Sequence, residues 1–190
     1  MPNHVYNSVQ MYGDKDNLLK VKRLLGRPSL YDLEQGNKVK SGDFNFHSLV
    51  SPPTEMFKEY ESGEWYGWNC DNWGTKWNAY ETNCSDNIDK DDINQYFLQY
   101  SFSTAWSPPI HIIKALAEYI GNKNLDIEFS WHYEEETGWG GEYLYNKNIG
   151  LIIIKQYDEP SCHEDHIERG DDCPCSYSDE RVYDDCPSDE

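Results

Sequence analysis

The stretch Trp65-Tyr-Gly-Trp-Asn-Cys-Asp-Asn-Trp-Gly-Thr-Lys-Trp-Asn-Ala-Tyr80 places four of the seven tryptophans within thirteen residues. Indoles offer large contact areas, and each brings an N–H that needs a partner when buried. Asn72, Thr75, Lys76 and Asn78 interleave with Trp73, Gly74 and Trp77, the mixture found where rings make contact and amides fix orientation. Trp106 and Trp139 are expected to join the same face from neighbouring strands. Lys76 is a lone cation among rings and acids, so a cation–π contact is open to it. Two readings follow from these residue types. The motif is a binding face, or it is a second small core over a sheet with its amides satisfying loop backbone.

Other chemistry is weaker. Cys162, His163, His166, Cys173, Cys175 and Cys186 offer six zinc-type ligands within 25 residues. The Cys-x-x-Cys knuckle is absent, and too few aliphatic residues surround them to build a fold around a metal. No metal or other cofactor is therefore assigned, and the expectation is a disordered acidic arm with incidental thiols. Glu134, Glu135 and Glu136 are adjacent carboxylates, a spacing that suits a solvated turn better than paired acid–base work. His4, His47, His111 and His132 are dispersed, and no serine or cysteine has a nucleophile's setting. Phosphate loops and dinucleotide fingerprints are missing. The expectation is a protein that is not an enzyme.

Several elements must position the tryptophan motif. Val5 to Tyr12 reads as a strand, Asp14 as a helix N-cap, and Leu18, Val21, Leu24 and Leu25 as an apolar stripe ending at a left-handed Gly26. A polar connection follows, then Phe44 to Val50 alternates like a strand and stops at Ser51-Pro-Pro53. The tryptophan segment is expected to supply a strand pair or a long structured loop. Tyr96 to Thr104 alternates, and Ser107-Pro108 predicts an N-cap followed by proline at the first helical position. Ile110, Ile113, Leu116, Ala117 and Ile120 form the second stripe, ended by Gly121. Leu125 to Tyr133 has the clearest period-two pattern, Gly138 to Gly141 reads as a turn, and Glu142–Tyr145 with Ile149–Tyr157 reads as a hairpin. Strand–helix–strand, an intervening strand region and strand–helix–strand predict an α+β, ferredoxin-like sandwich. Its sheet is mainly antiparallel, with two helices on one face, an extra C-terminal hairpin and an acidic C-terminal tail. The division is a domain over residues 1–157 and a tail over residues 158–190.

Met1-Pro-Asn-His-Val-x-Asn, Asn72-Trp-Gly-Thr-Lys-Trp-Asn-Ala-Tyr80, Thr104-Ala-Trp-Ser-Pro-Pro109 and Gly140-Gly-Glu142 resemble the YubB-like ferredoxin-like family. That family is carried by plasmids, integrative elements and phages, and its biochemical function is not established. The resemblance spans roughly residues 1–155 and has no counterpart for the tail. It implies the fold and a mobile-element setting in a bacterial host, but no reaction.

Formal net charge is −19; residues 1–157 carry 22 acids against 14 bases, and residues 158–190 carry 13 against 2. Such a surface repels phosphodiesters and anionic lipid, so direct nucleic-acid and membrane binding are disfavoured. The N-terminus lacks a basic start and an apolar run, which reads as a soluble, cytoplasmic protein with reduced Cys70 and Cys84. The function expected is an accessory protein of a mobile element that engages a basic protein, with nucleic-acid mimicry or inhibition of host defence as its sharper form. The alternative is a small-molecule-binding or enzymatic domain using the tryptophan-rich cleft. Oligomeric state stays open, because the Ile149–Ile154 strand could pair with its own copy.

Overall fold

The computed structural model describes residues 3–40, 42–53, 63–90 and 94–157. The acidic tail, with Cys162, His163, His166, Cys173, Cys175 and Cys186, lies outside them. In chain order the elements are β1 (His4–Gly13), α1 (Lys15–Leu25), α2 (Leu30–Gln35), a 3-10 turn (Phe46–Ser48), α3 (Glu64–Trp73), β2 (Tyr80–Asp86), β3 (Tyr96–Ala105), α4 (Ile110–Asn122), β4 (Ile127–Glu135), β5 (Gly140–Asn146) and β6 (Gly150–Tyr157). The strands form one open sheet of order β2-β3-β1-β4-β5-β6. Every neighbouring pair is antiparallel.

The β2-β3-β1-β4 order, with α1 after β1 and α4 after β3, is the ferredoxin-like split β-α-β arrangement. The closing hairpin β5–β6 widens that sheet, where Glu142–Tyr145 with Ile149–Tyr157 was expected to form one. Gly140 and Gly141 belong to β5 rather than to the turn. Their backbone passes so close to Tyr133 that a Cβ would lie 2.4 Å from its carbonyl oxygen or 2.7 Å from its hydroxyl.

Alternation along β1 sets the two faces of the sheet. Val5, Asn7, Val9 and Met11 point inward and are buried, whereas Tyr6, between them, is 55% exposed. The inward face meets Leu18, Val21 and Leu25 of α1 and Ile112, Ile113, Leu116 and Ile120 of α4 in one core. Asn7 is tolerated there because all its groups are used. Its amide donates to Val5 O and Thr104 Oγ1, and its carbonyl accepts from Trp131 Nε1 at 3.1 Å.

Several expectations are corrected. Four α-helices are present among the described residues where two were expected; α2 and α3 lie in the long insertion between α1 and β2. Phe44 to Val50 is not a strand. Asn45 takes its local backbone bond instead, its side chain accepting from His47 N, which favours a 3-10 turn over extended pairing. The tryptophan segment is a helix, α3, followed by a turn and the single strand β2. Gly26 ends α1 with φ −92°, outside the left-handed region, and Asp14 caps without a side-chain bond. Pro109, not Ser107, caps α4, because the Ser107 hydroxyl is spent on Gly74 O at 2.6 Å.

Phe44 shows why the insertion cannot be peeled from the body. Its ring lies 4.7 Å from Phe102, 5.2 Å from Tyr100 and 5.4 Å from Trp131, measured between centroids. Phe44→Ala is expected to cost about 3–5 kcal/mol, the cost of truncating a fully buried phenylalanine. Tyr6→Ala, on the uncovered face, should stay within about 0.5 kcal/mol. Urea unfolding of both variants checks the difference.

Candidate functional site

The insertion delivers the tryptophan motif, and its amides and Thr75 are already committed there. Glycines in the left-handed region bracket α3: Gly63 (φ 71°) before it and Gly74 (φ 83°) after it. A Cβ on Gly74 would stand 3.1 Å from Ile110 N and 3.3 Å from Pro108 O, so the turn packs directly on the start of α4. Trp73 is 2% exposed, donates Nε1–H to Val50 O at 3.0 Å, and packs on Phe46, His47 and Trp68. Thr75, fully buried, donates to Ala105 O. Asn72 donates to Trp68 O. Asn78 accepts from Phe46 N and donates to Asn45 Oδ1.

Among the residues singled out in the sequence, then, Trp73 and Thr75 belong to the core, while Asn72, Gly74 and Asn78 hold backbone. Trp139 lies elsewhere, half-buried and edge-on to Tyr133 at 6.3 Å. Lys76, Trp77 and Trp106 do come together at the surface, and Tyr66, which sequence spacing had not singled out, completes the group. The Lys76 ammonium is 4.1 Å from the Trp106 centroid, 5.0 Å from Trp77 and 5.6 Å from Tyr66. Tyr66 meets Trp106 edge-on at 5.8 Å. Tyr66 is helical and shares the α3 face that looks toward the Lys76 turn, so a helix, rather than the expected strands, would have revealed it.

These rings stay open to water: Tyr66 is 39% exposed, Trp77 37% and Trp106 43%. Trp106 also holds a left-handed backbone, φ 73°, its N–H tied to Asn3 O at 2.9 Å. Such a conformation costs a non-glycine residue about 1–3 kcal/mol. An exposed cation–π contact returns about 0.5–1 kcal/mol. Packing of Lys76 alone does not account for the arrangement. Trp77 meets Tyr80 edge-on at 6.3 Å, and the Tyr80 hydroxyl pairs with His4 Nδ1, so the ring surface continues toward the uncovered face of the sheet.

Beneath the site lies a polar network that the sequence did not reveal. Asp32, 2% exposed, accepts from Ser29 N, Ser29 Oγ, Asn37 Nδ2, Asn45 Nδ2 and His47 Nδ1, the last at 2.6 Å. It borders a cleft of about 360 Å³ that reaches Asn78 to Thr82. Burial works against the Asp32 charge, but the Ser29 and Asn45 donors and His47 hold its pKa at about 2. Burial lowers the pKa of His47, with Asp32 opposing. Glu135 is likewise buried; burial raises its pKa, but the Thr137 hydroxyl and N–H and the Asn3 amide hold it below the usual range. Among the described residues no cluster of His, Cys, Asp and Glu could hold a metal, and Cys70 and Cys84 are free thiols. No helix among them is long and apolar enough to cross a membrane.

A family model described as a ferredoxin-like domain in Api92-like protein matches residues 73–171. No curated protein and no solved structure matches the chain.

Two outcomes separate anchor from surface. Trp73→Ala is expected to cost about 3–5 kcal/mol. Trp106→Gly should change stability by no more than about 1 kcal/mol, because relief of the left-handed strain offsets the lost contact. Urea unfolding distinguishes them, and equal losses would make Trp106 a core residue.

The buried pair sets a pH dependence. His47 has a folded pKa below its ordinary 6.5, so the unfolded chain takes up a proton that the folded chain refuses, and stability falls as pH drops below 6.5. Asp32 contributes stability above 3.8 that is lost as pH falls toward about 2. Melting temperature against pH should therefore show both limbs. His47→Gln should flatten the upper limb and keep the lower; a variant that keeps the upper limb would remove His47 as its source.

Proposed function

The chain belongs to the family of the ferredoxin-like domain in Api92-like protein, and from that premise we propose that it is a non-enzymatic binding protein whose partner is a basic protein. The contact is the surface formed by Tyr66, Lys76, Trp77 and Trp106. One observation carries this reading: three exposed rings converge there, one on a strained backbone, with little return to the core. Aromatic residues held rigidly at a surface are the usual anchors of protein interfaces.

Charge supports the choice of partner. A net −19 steers basic surfaces toward the chain and phosphodiesters away from it. The resemblance to plasmid- and phage-borne proteins supports a finer reading, an accessory protein of a mobile element acting in the host cytoplasm. Duplex DNA carries one charge per about 1.7 Å of its axis, and clustered carboxylates can compete for the lysine- and arginine-lined grooves that hold it. Nucleic-acid mimicry, including blockade of a host defence protein, follows from that competition.

Affinity capture from bacterial lysate at about 0.1 M and about 1 M salt tests the reading. Basic proteins should be retained at low salt and released at high salt, and the double variant Trp77→Ala, Trp106→Ala should lose them while melting like the wild type. A retained partner that is not basic, or capture indifferent to ionic strength, sinks the mimicry. Undiminished capture by the double variant moves the contact away from these rings.

A further inference from the structure

Lys76 is placed unusually for a lysine in this chain. Acids outnumber bases by 35 to 16. Like most of the described lysines, Lys76 pairs with no carboxylate, but where Lys15 and Lys155 each stand over one ring its ammonium stands over three, at 4.1, 5.0 and 5.6 Å. The electron-rich faces of aromatic rings attract cations, and converging rings make a cation site. Its walls are fixed without help from Lys76. Tyr66 rides on α3, Trp77 follows a turn anchored by buried Trp73 and Thr75, and Trp106 is set by its bond to Asn3 O. The Lys76 main chain is pinned as well, because its carbonyl accepts from Asn69 Nδ2 at 2.8 Å. Only the side chain is free to leave.

We propose that Tyr66, Trp77 and Trp106 form a cation cage whose resident is Lys76, and that a cationic side chain of the basic partner is the guest that replaces it. This rests on the binding-protein reading and names its chemistry. The cage spans one ammonium, and two cations at that spacing repel, so resident and guest exclude each other. A tethered competitor acts at an effective concentration in the millimolar range or above. Lys76 therefore lowers the apparent affinity for a guest by the fraction of time it occupies the cage. The device keeps the cage closed to stray cations and opens it to a partner that brings further contacts.

The test uses the full chain and tetramethylammonium chloride, with sodium chloride matched for ionic strength, following the Trp77 and Trp106 indole N–H resonances. Lys76→Gln should bind tetramethylammonium about tenfold more tightly than the wild type, and Lys76→Arg should not. Adding Trp106→Ala or Trp77→Ala to Lys76→Gln should remove that gain; two ring variants guard against one that misfolds. Equal binding by Lys76→Gln and wild type overturns the cage, as does a gain that survives both ring substitutions. A basic partner captured by the wild type and lost in Lys76→Gln also overturns it, while leaving the binding reading intact. Tighter tetramethylammonium binding with no basic protein captured sustains the cage and removes the partner reading.

Discussion

The carboxylate of Asp32 is the constraint on which the insertion depends. A charge that is 2% exposed is tolerable only when its acceptor sites are filled, and five donors fill them. Those donors come from Ser29 and Asn37, which flank α2, and from Asn45 and His47 of the 3-10 turn, two short elements that the carboxylate ties together. No single helix there could hold its place: α2 has only six residues, well short of independent stability. The carboxylate does what an apolar cluster does elsewhere in the chain, and it specifies one arrangement because each donor has a direction.

From that centre the connections run outward to the exposed rings. Asn45, which donates to Asp32, also accepts from Asn78, and Asn78 accepts from Phe46 N, so the Asn78 end of the tryptophan turn is referenced to the same network. Trp73 closes the other side by packing on His47 and reaching Val50 O. Lys76 and Trp77 are thus the free crest of a turn whose flanks are fixed. Pre-organised contact surfaces lose less entropy on binding. Buried polar bonds beneath and exposed rings above are therefore two parts of one arrangement.

Much of the body was legible from alternation and stripes, because β1, β3, β4, α1 and α4 each bury one face against a common core. The insertion was not. Phe44, Asn45 and Phe46 mimic a strand's alternation, yet Asn45 is buried alongside both rings, which only a chain leaving the sheet allows. In α3 the tryptophans fall at irregular spacing with Gly67 between them, so no 3.6-residue stripe announces a helix. Asp32 sits in a short polar run with nothing to mark it as buried, and its pairing with His47 spans fifteen residues. At the site, Lys76, Trp77 and Trp106 were legible by type. What sequence alone could not sort was which indoles face inward, since Trp73 ends α3 and Trp77, four residues on, lies past the Gly74 turn in the opposite environment.

Ring chemistry by itself does not choose between a nucleobase and a cationic side chain, because both lie well against an indole. The charges around the rings favour one. Single-stranded nucleic acid binds where an aromatic platform lies in a positive groove that tracks the phosphates. Beyond Tyr80 and His4 the uncovered face of the sheet instead presents exposed Glu128 and Glu134, and His4 Nε2 stands 3.9 Å from Glu136. A nucleobase stacked on Trp77 would bring its phosphates toward that field, whereas an arginine or lysine would bring a charge the field attracts. Lys76 already lies where such a charge would be placed.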